Sequence, residues 1–115
     1  MSFAQMITRL TADEAIAAYL RSQERAMDLF GSALPENRDR PPHQLVVVDV
    51  QEHDFGWVYF YNSKEYAETG EFDFSLVGNP PVIVDRTDGK LYGTGTANQT
   101  VHYLNEFRRG VRHAL

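Results

Sequence analysis

The strongest constraint on the fold is a pair of apolar runs separated by one turn. Leu45-Val46-Val47-Val48-Asp49-Val50 is dense in β-branched residues, and Trp57-Val58-Tyr59-Phe60-Tyr61 is aromatic-rich. Such side chains fit a pleated, half-buried surface better than a helix. His53-Asp54-Phe55-Gly56 lies between them with turn chemistry. The simplest product is an antiparallel hairpin. Successive strand side chains point to opposite faces, so Trp57, Tyr59 and Tyr61 share one face and Val58 and Phe60 the other.

A second hairpin follows. Val82-Ile83-Val84 and Leu91 to Thr94 read as strands. The Thr87-Asp88-Gly89-Lys90 segment between them contains Asp-Gly, which tolerates the positive φ angles of a tight turn. Helices flank the strands. Thr11-Ala12-Asp13-Glu14 has the form of a capping box. Ile16, Tyr19, Leu20, Met27 and Phe30 then recur at helical spacing, so a helix is expected from Ala12 to about Phe30, with Gly31 as its stop. Asn98 is a possible cap for a last helix with Val101, Leu104 and Phe107 in its stripe, and Gly110 near its end. Ser63 can cap a short turn through Ala67 that Gly70 ends. Ser32 to Pro42 reads as a charged surface loop, Glu71 to Val77 as a loop or a short edge strand, and Gly78-Asn79-Pro80-Pro81 as a rigid corner. The expected class is α+β: an antiparallel sheet of about four strands, with the N-terminal and C-terminal helices packed on one face.

The chain has 115 residues, enough for one domain with its own core and too few for two. It contains no cysteine. That excludes a disulfide scaffold, a thiolate metal site and a cysteine nucleophile. The first ten residues carry one basic side chain and no apolar run of signal-peptide length, and no stretch is apolar enough for a membrane span. The cytoplasm is therefore the expected location. A formal net charge of −5 opposes nucleic-acid phosphate, and Arg108, Arg109 and Arg112 near a helix end offset the helix dipole more readily than they grip a backbone.

No catalytic, metal or cofactor site is expected. Glu52-His53-Asp54 places three ligand types in a row, but neighbours in a turn rarely converge on one ion. Ser63, Asp85 and the histidines contain the residue types of a triad, yet Ser63 lacks a glycine-flanked elbow. Gly93-Thr94-Gly95-Thr96 lacks the lysine of a phosphate loop. The aromatic row Trp57, Tyr59 and Tyr61 has two readings. It is core, or it is an exposed interface, since aromatics bury much area at low entropic cost. On the interface reading, Glu65 and Glu68 in the following turn add carboxylates that steer a basic partner. The partner-binding set is then Trp57, Tyr59, Tyr61, Glu65 and Glu68.

A series of segments resembles a known family. It comprises Gly56 to Ser63, Glu65-Tyr66-Ala67-Glu68-Thr69-Gly70, Leu76 to Asp85, Asp88-Gly89, Gly93 to Thr96 and Tyr103-Leu104. In this order they resemble the immunity protein 35 (YrhB-like) family over about Thr11 to Phe107, with a departure at Pro80 where a small residue is expected. The resemblance implies a single-domain, non-catalytic protein of bacterial polymorphic toxin systems. Its partner is then a cognate toxin, with peptidase and deamidase types considered. It also implies an alternative, a heat-stable chaperone-like holdase; a small enzyme or ligand-binding domain is a third reading, which the residue readings above disfavour. The family offers no catalytic residues to carry over.

Overall fold

Seven elements are present in the computed structural model, in which residues 6–32, 44–71 and 79–115 are described. They are α1 (Arg9–Ser32), β1 (Leu45–His53), β2 (Gly56–Ser63), α2 (Lys64–Thr69), β3 (Val82–Asp85), β4 (Leu91–Gly93) and α3 (Thr100–Arg108). The strands form a meander in the order β1-β2-β3-β4, every neighbouring pair antiparallel. This is the expected α+β arrangement. Most of the Ser32–Pro42 loop and of the Glu71–Val77 link, and Gly78 of the corner, lie outside the described residues.

Both expected hairpins form. β1 and β2 pair from Leu45↔Ser63 to His53↔Gly56, with a bulge between Val47 and Asp49. Gly56 opens β2 at φ 149°, and a Cβ there would sit 2.0 Å from the Val84 carbonyl oxygen. Only glycine lets β3 approach that closely.

The helices do not share a face. Ala12, Ile16 and Leu20 of α1 pack with Leu45, Trp57, Tyr59, Val82 and Val84. Leu104 and Phe107 of α3 pack with Val58 and Ile83 on the other side. The register explains this. Trp57 pairs with Val84 and Tyr59 with Val82, while Val58 pairs with Ile83. Alternation therefore gives β2 and β3 an apolar surface on both sides, and each side needs its own helix. The one-face expectation is corrected to three layers, α1 over the sheet and α3 under it.

α1 also begins one turn earlier than Thr11 suggested. The Thr11 N–H donates to Thr8 Oγ1 at 3.2 Å, and the Ala12 N–H donates to the Thr8 carbonyl at 3.0 Å. Thr8 is the cap, and Arg9 and Asp13 form an i,i+4 ion pair across the first turn. Gly31 does not stop α1, which runs on to Ser32. At the far end, Gln99 rather than Asn98 takes the N-cap position of α3, with no side-chain cap bond.

Candidate functional site

The surface singled out by the sequence is built from β2 and the α2 turn that follows it. Trp57 and Tyr59 are core residues, 2% and 1% exposed, beneath α1. Tyr61 is half-buried against the same cluster. The core reading of the aromatic row is therefore correct for Trp57 and Tyr59. They face the long helix because its Ala12, Ile16 and Leu20 stripe has no other apolar surface to cover it. In the folded chain these two rings cannot fill a partner's pockets.

Polar contacts hold the aromatic face in place. The Tyr59 hydroxyl donates to Asp13 Oδ1 at 2.6 Å, and Arg9 Nε donates to the same oxygen at 2.8 Å. Burial, then the bond to Asp13, pushes the Tyr59 hydroxyl pKa well above its ordinary value. Burial works against the Asp13 charge, but the bonds from Tyr59 and Arg9 outweigh it and hold that carboxyl below the usual range. Burial, with Tyr19 beside it, also raises Tyr61. The Arg86 guanidinium lies 4.5 Å over the Trp57 ring and donates to Glu52 at 2.9 Å.

Glu65 and Glu68 are exposed on α2. Ser63 caps that helix by accepting the Tyr66 N–H at 3.1 Å, and Gly70 closes it at φ 70° by donating to the Tyr66 carbonyl. Glu65 sits in the first turn, where the helix dipole favours a negative charge. Lys64 approaches Glu68 at 3.8 Å, a loose exposed pair. The structure thus separates the five residues: two in the core, one half-covered, two in solvent.

The residues with chemical potential have structural work. Glu52 turns to Arg86, Asp54 accepts from Arg108 at 3.3 Å, and His53 stacks on Phe55 with centroids 5.0 Å apart. Among the described residues no group of three or more His, Asp or Glu is arranged to hold a metal ion. Asp85, the buried carboxylate of the core, accepts from the Thr87 hydroxyl, the Thr87 and Asp88 N–H groups and Arg112. It organises the β3–β4 turn. At the end of β4, a Cβ on Gly95 would lie 2.6 Å from the Tyr103 hydroxyl, so that glycine makes room for a side chain of the chain itself. In the sequence Asp13 stands out only as part of the Thr11–Glu14 capping box, and Arg21 and Glu24 do not stand out at all. These contact the backbone of Leu45. No local pattern marks such contacts, which span more than twenty residues of chain.

A family model described as Immunity protein 35 matches residues 16–110, most of the chain. The chain belongs to the immunity protein 35 family. It is also similar to a protein of Escherichia coli (strain K12) named "Uncharacterized protein YrhB". The two are 35% identical over 52 residues, 45% of this chain and 55% of that protein, so the match spans about half of the relative's length. No solved structure matches. Among the described residues, no helix is long and apolar enough to cross a membrane.

Proposed function

We propose that this family member is a non-catalytic immunity protein that acts in the cytoplasm by binding a partner toxin and occluding it. Membership of the immunity protein 35 family over residues 16–110 is the observation that carries this reading. The charge distribution supports it. Between Leu45 and Glu71 stand Asp49, Glu52, Asp54, Glu65, Glu68 and Glu71 against Lys64 alone. Arg86 and Arg108 answer Glu52 and Asp54, which leaves Asp49, Glu65, Glu68 and Glu71 against Lys64 and keeps the surface acidic. A surface of one sign speeds encounter with a partner of the other and selects against wrong partners. The working groups are Glu65 and Glu68 with their exposed neighbours, since Trp57 and Tyr59 are covered by α1.

Co-expression tests the proposal. The neighbouring toxin gene, of peptidase, deamidase or other chemistry, is expressed alone and with this chain. Growth should be lost in the first case and restored in the second. Purified together, the two should form a complex whose association slows when Glu65→Lys and Glu68→Lys are combined, with melting unchanged. Undiminished toxicity, with unrelated aggregating proteins kept soluble instead, would replace the immunity reading with the holdase.

A further inference from the structure

The two edges of the sheet are finished differently. Along β4 the Gly93 N–H donates to the His113 carbonyl at 2.6 Å and the Leu115 N–H to the Leu91 carbonyl at 3.0 Å, so residues 113–115 cover that edge. At the other end of the strand order, β1 has no backbone partner on its outer side among the described residues. Side chains answer part of it. At Leu45, the Arg21–Glu24 ion pair of α1 takes both backbone groups. The Leu45 N–H donates to Glu24 at 2.6 Å, and its carbonyl accepts from Arg21 at 2.7 Å. At Val50 the N–H donates to Asp49 at 2.9 Å.

Between these two points the edge is open among the described residues. In an antiparallel strand alternate residues turn both backbone groups outward, so Val47 follows Leu45 in doing so. Val47 and Val48 are 37% and 49% exposed, and Val48 is the extra residue of the bulge. Beside them a groove of about 360 Å³ runs between α1 and β1, with Ile16, Ala17, Leu20 and Val50 in its lining; its two arginines, Arg9 and Arg21, are each held by a carboxylate of α1, Asp13 and Glu24. The bulge works against flat self-pairing. Charge does so too, because a second copy would bring the acidic 45–71 region against itself. Asp49, Glu65 and Glu71 have no cation on them among the described residues. A basic segment removes the charge obstacle, and a short flexible one, unlike a second folded sheet edge, can bend to follow the bulge.

We infer that Val46–Val50 of β1 receives an extended, lysine- or arginine-bearing segment of a partner protein, which adds as a further strand and lays alternate apolar side chains into the α1–β1 groove. The inference rests on the proposed immunity function only for the identity of the partner, the toxin.

The test uses the full chain, ¹⁵N-labelled, and three short synthetic peptides: alternating Lys-Val, alternating Glu-Val, and the Lys-Val peptide interrupted by proline. At low salt the Lys-Val peptide should shift the Val46–Gln51 amides and slow their exchange. Proline removes donors from the added strand and should weaken binding by about tenfold or more. The Glu-Val peptide should leave the spectrum unchanged. Asp49→Lys with Glu65→Lys changes two exposed side chains, so the fold should persist. It should weaken Lys-Val binding by about tenfold at low salt, with the difference closing as salt rises. Absence of Lys-Val binding, equal binding of all three peptides, or shifts gathered on β4 or α3 would overturn the inference. The two proposals fail separately. A chain that neutralises the toxin but ignores the peptide loses only the edge, and one that takes the peptide but protects no cell loses only the immunity role.

Discussion

Asp13 and Asp85 each tie a helical or terminal segment to the sheet, in opposite surroundings. Asp13 stands on α1 at the mouth of the groove, with its side chain 45% exposed, and holds Tyr59 and Arg9. Asp85 stands at the end of β3, with its side chain 3% exposed, and is bound by Thr87, Asp88 and Arg112. Both carboxyls are held below the ordinary range. At Asp85 burial opposes the charge, and the Thr87 hydroxyl, the backbone N–H groups and then Arg112 overcome it. The difference lies in what remains when the carboxylate is removed. Water can enter the groove and take over the Tyr59 hydroxyl. No such replacement is open to the donors that converge on Asp85.

The core sets the ceiling for both ties. Trp57→Ala should cost about 3–5 kcal/mol in urea unfolding, the usual penalty for truncating a large buried ring. A loss below about 1 kcal/mol would mean that Trp57 is not under α1. Asp85→Ala should follow at about 2–3 kcal/mol, because buried donors are left without an acceptor. Asp13→Ala should cost about 1 kcal/mol, the net worth of an ordinary hydrogen bond. Equal costs for the two would break the comparison.

Acid sharpens it. Both groups have folded pKa values below their unfolded ones, near 4 for a free aspartate, so their stabilisation is complete above about pH 4 and is lost as pH falls through the lowered values. Melts from pH 7 down to pH 2 should show a decline that Asp85→Ala flattens more than Asp13→Ala. The smallest effects concern the start of α1. Thr8→Ala should cost about 1 kcal/mol and Thr11→Ala only a few tenths, because the cap bond belongs to Thr8. The reverse order would return the helix start to Thr11.

The hairpins were legible because their signals are local: β-branched runs, alternating aromatics, Asp-Gly at the second turn. The stripe of α1 was legible for the same reason. The cap was ambiguous, since Thr8 and Thr11 lie one turn apart and either can serve. The layer order required more than alternation in β2. Val58 and Phe60 were as apolar as Trp57 and Tyr59, and that continuity marks a strand buried on both sides. The charged half of the proposed surface was readable from composition. Its aromatic half was not, because whether a ring row faces solvent depends on which helix lands on it. Asp13 was unreadable, its partner Tyr59 being 46 residues away.

The meander has a bearing on how the chain is made. Each strand pairs with the one just synthesised before it, so β2 finds β1 waiting, β3 finds β2, and β4 finds β3. No strand stays unmatched while a distant segment is translated, and non-local pairings of that kind slow folding and leave chains prone to aggregate. α1 is made before the sheet and meets Trp57 and Tyr59 only when β2 follows, so its apolar stripe waits uncovered until then. A chain cut short between Ser32 and Leu45 would present that stripe uncovered, and one ending after Asp85 would not.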